Sequence, residues 1–103
     1  MFTINFPQYN FRLKEEAGKR LVFDIIRKKF VVVTPEEWVR QHLLYYFSET
    51  LHYPKNFISV EYSIELNGLK KRCDIVVFNK LHSPVFIIEC KRPETVLSQA
   101  VFD

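Results

Sequence analysis

Asp74 and the tripeptide Glu89-Cys90-Lys91 are the residues whose types and spacing could do chemistry. Each stands at the edge of an apolar run. Asp74 precedes Ile75-Val76-Val77-Phe78, and Glu89 follows Val85-Phe86-Ile87-Ile88. Residues two apart in a strand share a face, so Glu89 and Lys91 point one way and Cys90 the other. A carboxylate and an ammonium at the mouth of a core strand cost desolvation energy unless they have partners or work to do. If the two runs pair as a hairpin, Asp74 and Glu89 lie side by side and repel. A divalent cation removes that repulsion, and oxygen ligands suit Mg2+ or Mn2+. Such an ion polarises a phosphoryl oxygen and lowers the pKa of a bound water, while a neighbouring lysine orients the nucleophile and stabilises charge on the phosphate. This set of groups suits phosphodiester hydrolysis. The bland alternative is an inter-strand salt bridge between Lys91 and Asp74 or Glu89. A lone ExK arises by chance in many chains. An Asp followed 15 residues later by ExK, both on adjacent expected strands and after an acidic helix, is more specific.

Those residues need a frame. Arg20 to Ile26 and Phe30 to Val33 are rich in β-branched and aromatic residues and read as short strands. Thr34 is an N-cap, Pro35 suits the first helical position, and Glu36 and Glu37 favour the positive end of the helix dipole. Glu37 also has capping-box spacing from Thr34. The helix body runs from Trp38 to about Leu51, with Val39, Leu43, Tyr46, Phe47 and Thr50 on one stripe, and Tyr53-Pro54 ends it. Three strands follow. Ser59 to Leu66 alternates, Asn67-Gly68 is a hairpin turn, Lys70 to Phe78 is the second strand, and Val85 to Lys91 is a central third. Pro93 to Ala100 opens a second helix. The expected fold class is α/β (α+β): helix, three strands, helix around a mixed central sheet. Residues 1–33 form an N-terminal β-strand extension and residues 34–103 the core, all one compact domain. The core is expected to be cut short at its C-terminus.

Asp74 with Glu89-Cys90-Lys91 resembles the D…(D/E)xK signature of the PD-(D/E)xK nuclease superfamily. The stretches Thr34 to Gln41, Lys71 to Phe78 and Ile87 to Pro93 are similar to the N-terminal domain of type I restriction enzyme R subunits. That resemblance covers roughly residues 20–103. It implies a restriction-endonuclease-like core and a metal-dependent DNA endonuclease, with double-stranded DNA as substrate. It also implies a cleavage module normally attached to a DNA-translocating motor, and so a separate motor or modification subunit as partner. No GxxxxGK[ST] loop occurs in the 103 residues. The resemblance implies that Asp74 and Glu89 hold Mg2+ or Mn2+, joined by the Cys90 backbone carbonyl, and that Lys91 positions the attacking water. A helix glutamate often joins such a site. Glu36 matches it best, on the stripe with Val39, Leu43 and Phe47; its alternative role is an i,i+4 pair with Arg40. Glu37, which capping explains better, and Arg72 are accessory candidates. Gln99 resembles the glutamine that follows ExK in these nucleases.

Composition fits without deciding. Apolar residues make up 48% of the chain, with ten Phe and five Tyr, so core material is plentiful for one small domain. A net charge of +3 is too small to establish nucleic-acid binding. Basic residues do cluster at Lys28-Lys29, Lys70-Lys71-Arg72 and Lys91-Arg92, as a phosphate-tracking surface or as ordinary solvated turns. Cys73 and Cys90 lack CxxC spacing and are expected to be buried free thiols rather than zinc ligands. No apolar run is long enough to cross a bilayer, and Met1 to Phe6 lacks the basic and apolar parts of a signal peptide. The expectation is a cytoplasmic protein with no membrane partner. Against the enzyme reading stands a catalytically silent nuclease-like module that binds DNA or protein.

Overall fold

The computed structural model describes residues 7–89 and 98–101 of the chain. Three strands come first: β1 (Leu13–Glu16), β2 (Lys19–Asp24) and β3 (Lys29–Val32), an antiparallel sheet in chain order. Strand β1 is the addition to the expected pattern. Its Leu-Lys-Glu-Glu sequence is exposed throughout and carries no strand-like alternation. The turn fixes it instead. Ala17 and Gly18 both have positive φ, +53° and +75°, the two-residue geometry that matches the twist of paired strands.

Helix α1 spans Pro35–Tyr45. Thr34 caps it, its hydroxyl oxygen accepting from the Glu37 N–H at 3.1 Å, and Pro35 opens the first turn. The helical path then loosens to a π-type turn over Tyr46–Thr50, where the Leu51 N–H reaches the Tyr46 carbonyl at 2.9 Å. Strands β4 (Ile58–Leu66), β5 (Leu69–Phe78), β6 (Pro84–Glu89) and β7 (Ser98–Val101) form the second sheet in chain order. The expected hairpin at Asn67-Gly68 is present, with Leu66 opposite Leu69.

Two expectations are corrected here. The sheet is antiparallel in all its pairings, not mixed. Parallel neighbours need crossovers of about a dozen residues or more, and the connections at 79–83 and 90–97 are shorter. Ser98-Gln99-Ala100 also belongs to a strand, not to a second helix. It pairs with β6 from Glu89↔Ser98 to Phe86↔Val101. An apolar strand such as β6 leaves a row of backbone donors and acceptors at its edge. Pairing satisfies them, whereas a helix of so few residues is costly to nucleate. Residues 93–97 of the expected helix lie outside the described residues.

The core lies between α1 and the second sheet. Leu43, Leu44 and Phe47 pack on Ile58, Ile75, Val77 and Ile88. Cys73, Val76, Phe78 and Ile87 make a separate cluster with Ile64. Cys73 and Ile75 are two residues apart yet belong to opposite clusters, so the face alternation of β5 breaks at Asp74. The same reversal occurs in β4. Val60 packs with the helix-side cluster, while Ile64 joins the other and the Tyr62 ring contacts Phe78 at 5.3 Å. Between them Glu61 has φ +53°, a left-handed conformation inside a strand.

Arg27, in the turn between β2 and β3, ties the two sheets to the helix. Its Nε donates to Asp24 at 2.7 Å, its Nη2 to both Glu37 carboxylate oxygens at 3.1 Å, and its Nη1 reaches Glu61 at 3.4 Å. Asp24 has no exposed surface. It also accepts from the backbone N–H groups of Ile26 and Arg27 and from Gln41 Nε2. Burial alone would raise the Asp24 carboxyl. The Arg27 backbone N–H, the Gln41 amide and the Arg27 guanidinium outweigh it and hold the carboxyl below its ordinary value. A depressed folded value stabilises the fold fully above the unfolded value of 3.8 and is lost as pH falls through the lower folded one. Asp24→Asn is therefore expected to cost about 3–5 kcal/mol at neutral pH and to remove part of the stability loss seen on acidification below about pH 4. Urea unfolding of both proteins from pH 7 to pH 2 measures both effects.

Candidate active site

Asp74 lies on β5 where its facing reverses, and Glu89 ends β6. The last paired residues of these strands on that side are Ile75 and Ile88. Asp74 and Glu89 are thus the next residues on each strand, at the same end of the ladder. Helix α1 reaches this end through Arg40, whose Nη2 stands 3.6 Å from Asp74 Oδ1 and whose Nε stands 3.7 Å from Glu37 Oε2. Glu89 pairs with Lys71 of β5 at 2.6 Å. That hydrogen bond holds the exposed Lys71 ammonium above its ordinary value. Arg72, also on β5 and exposed, bridges to Glu61 at 3.3 Å.

The helix glutamates are placed differently from expectation. Glu36 is exposed and does not lie on the sheet-facing side. Glu37 is the one that turns inward, its carboxylate held by Arg27 and by Gln41 Nε2 at 3.0 Å. The inward stripe is therefore Glu37, Gln41 and Leu44 together with Arg40 and Leu43, broader than the Val39–Leu43–Phe47 line. Arg40 accordingly pairs with Glu37 and Asp74. Two buried atoms in this group have no hydrogen-bond partner among the described residues: Arg40 Nε, a donor, and Gln41 Oε1, an acceptor.

Cys90 and Lys91 lie outside the described residues. Gln99 is in β7, its backbone opposite Ile88. Among the described residues, no group of three or more His, Cys, Asp or Glu side chains is set to hold a metal ion. None of the helices there is long and apolar enough to cross a membrane. The residues that sequence reasoning missed are Asp24, Arg27, Glu61 and Lys71. An Asp closing the apolar segment Leu21-Val22-Phe23, with an Arg three residues on, was the available signal for the first two. Lys71 stands out on sequence only as part of the basic cluster Lys70-Lys71-Arg72, not as the partner of Glu89, and no spacing in β4 links Glu61 to Arg27.

Fold and site together define an α+β domain with two acidic residues at one end of an antiparallel sheet, Asp74 facing a helix arginine and Glu89 a strand lysine. A family model for the type I restriction enzyme R protein N terminus matches residues 35–103, and the chain belongs to that family. Membership ties it to restriction–modification, a multisubunit setting. Strands β1 to β3 precede the matched span. No curated protein and no solved structure matches the chain.

Cys73, next to Asp74, is fully buried among Val76, Phe78 and Ile87. Burial pushes its thiol above the ordinary value. Little thiolate forms and no reagent reaches it. In a Cys90→Ser variant, labelling of Cys73 by a bulky thiol reagent is expected to proceed only at the rate of unfolding; rapid labelling of the folded protein contradicts this placement.

Proposed function

We propose that this domain is a metal-dependent endonuclease of the PD-(D/E)xK class, hydrolysing phosphodiester bonds in double-stranded DNA. The observation that carries the reading is the position of Asp74 and Glu89 at one end of the β5–β6 ladder, in a chain whose family is that of restriction R proteins. The donor set fits a hard cation: two carboxylates and, in sequence, the Cys90 carbonyl, all oxygen. Asp74 and Glu89 would hold Mg2+ or Mn2+. A bound ion of this kind polarises a phosphoryl oxygen and lowers the pKa of water.

The chain's own groups divide the remaining work. Lys91 orients the water and stabilises charge on the phosphate. Arg40 fixes the carboxylates of the helix and the strand, its Nη2 3.6 Å from Asp74 Oδ1 and its Nε 3.7 Å from Glu37 Oε2. Glu37, an accessory candidate on sequence, takes the metal-site place expected of Glu36, because it is the helix carboxylate turned toward Arg40. Lys71 balances the charge of the half-buried Glu89 from an exposed position. In this reading the domain cuts DNA presented by separate motor or modification subunits.

A second reading, the catalytically silent module, is favoured by one observation: Arg40 and Lys71 already pair with Asp74 and Glu89. Cleavage separates the two. With supercoiled plasmid and Mg2+ or Mn2+, the wild type is expected to nick DNA. Asp74→Asn, Glu89→Gln and Lys91→Ala are each expected to lower the rate by at least about 100-fold while remaining folded. Nicking that survives all three substitutions, or that needs no divalent ion, overturns the nuclease reading.

A further inference from the structure

Strands β1 to β3 lie outside the family match, and no step of the proposed reaction uses them. One face of this sheet is committed: Val22 and Asp24 are fully buried. By strand alternation the opposite face carries Lys14, Lys19, Phe23 and Phe30. Arg12 joins them, because its carbonyl accepts from the Phe23 N–H at 2.8 Å and extends the pairing by a step. Phe23 and Phe30 stand opposite each other with ring centroids 5.3 Å apart. Arg12 Cζ sits 5.1 Å and 5.4 Å from the two ring centroids, and Lys14 Nζ sits 4.2 Å above Phe30. The rings fix these cations without neutralising them. Glu16, 3.2 Å from Lys14, is the acid on this face among the described residues.

We propose that this sheet face contacts the phosphate backbone of duplex DNA and helps to hold the substrate from outside the carboxylate site. Fixed cations spread over one sheet face match an array of phosphates. The ring faces are already covered by Arg12 and Lys14, so they do not offer the open stacking platform that single strands use. The contact is sequence-independent, since it presents charge to phosphates rather than donors to base edges. The inference rests on DNA being the substrate of the proposed reaction.

The test is fluorescence anisotropy of a labelled duplex, without divalent ions, titrated at several salt concentrations. It compares the wild type with Lys14→Gln/Lys19→Gln and with Lys55→Gln/Lys80→Gln, which removes the same charge at exposed sites elsewhere. Both variants spare Arg12, whose packing on two rings makes its loss a risk to folding. The first variant is expected to bind roughly tenfold more weakly at low salt, with a salt slope shallower by about 0.9 for each phosphate no longer neutralised. The second is expected to bind as the wild type does. Equal losses in the two variants, no loss in the first, or no duplex binding by the wild type overturns the inference. The outcome is separable from cleavage. A wild type that never nicks plasmid but loses duplex binding through Lys14 and Lys19 fails the nuclease reading and keeps this one.

Discussion

The guanidinium of Arg27 is the contact on which the arrangement depends. It joins Asp24 at the end of β2, Glu37 in the first turn of α1 and Glu61 in β4. A buried carboxylate such as Asp24 is tolerable only when its lone pairs are filled, and here four donors from Ile26, Arg27 and Gln41 fill them. Burial opposes the charge on Arg27 too, but Asp24 and Glu37 more than offset it. Because Gln41 and Glu37 belong to the same helix face, satisfying Asp24 also sets the rotation of α1. That rotation delivers Arg40 to Asp74. The N-terminal sheet therefore braces the helix that braces the site, although it lies outside the family match.

The second sheet contributes a local irregularity in place of a regular ladder. Core positions on β4 and β5 change sides at Glu61 and Asp74, and Glu61 adopts a left-handed backbone to do so. Such conformations cost roughly 1–3 kcal/mol and persist where surroundings over-determine them. Here Arg27 and Arg72 hold the Glu61 carboxylate from two sides. The reversal lets Cys73 enter one apolar layer and Ile75 the other. Asp74 stands between them, near the helix arginine.

Local rules made much of this legible in the sequence. The Thr34 cap, Pro35, the Asn67-Gly68 hairpin and the apolar runs of β5 and β6 depend on neighbouring residues, and each has its expected place. What was not legible depends on distant partners. A narrow helical stripe favoured Glu36, but the buried face widens to accommodate Glu37 and Gln41, whose partners are Asp24 and Arg27. A periodic pattern does not report an ion pair across tens of residues of chain. Strict alternation likewise concealed the reversal at Glu61, because a single positive φ leaves no mark in residue type when the residue is not glycine. Strand β7 was read as a helix because Pro93 resembles a helix start, while the demand of β6 for an edge partner is tertiary.

The central claim is that Asp74 and Glu89 together hold a divalent cation. Thermal melting of the wild type and Asp74→Asn, with and without Mn2+, tests it without requiring cleavage. A ligand held by the native state alone raises stability by about 2.7 kcal/mol at a hundredfold excess over its dissociation constant. The account predicts a rise in the wild-type melting temperature with millimolar Mn2+ and none in Asp74→Asn. A wild type indifferent to Mn2+, or an equal rise in both proteins, would contradict it.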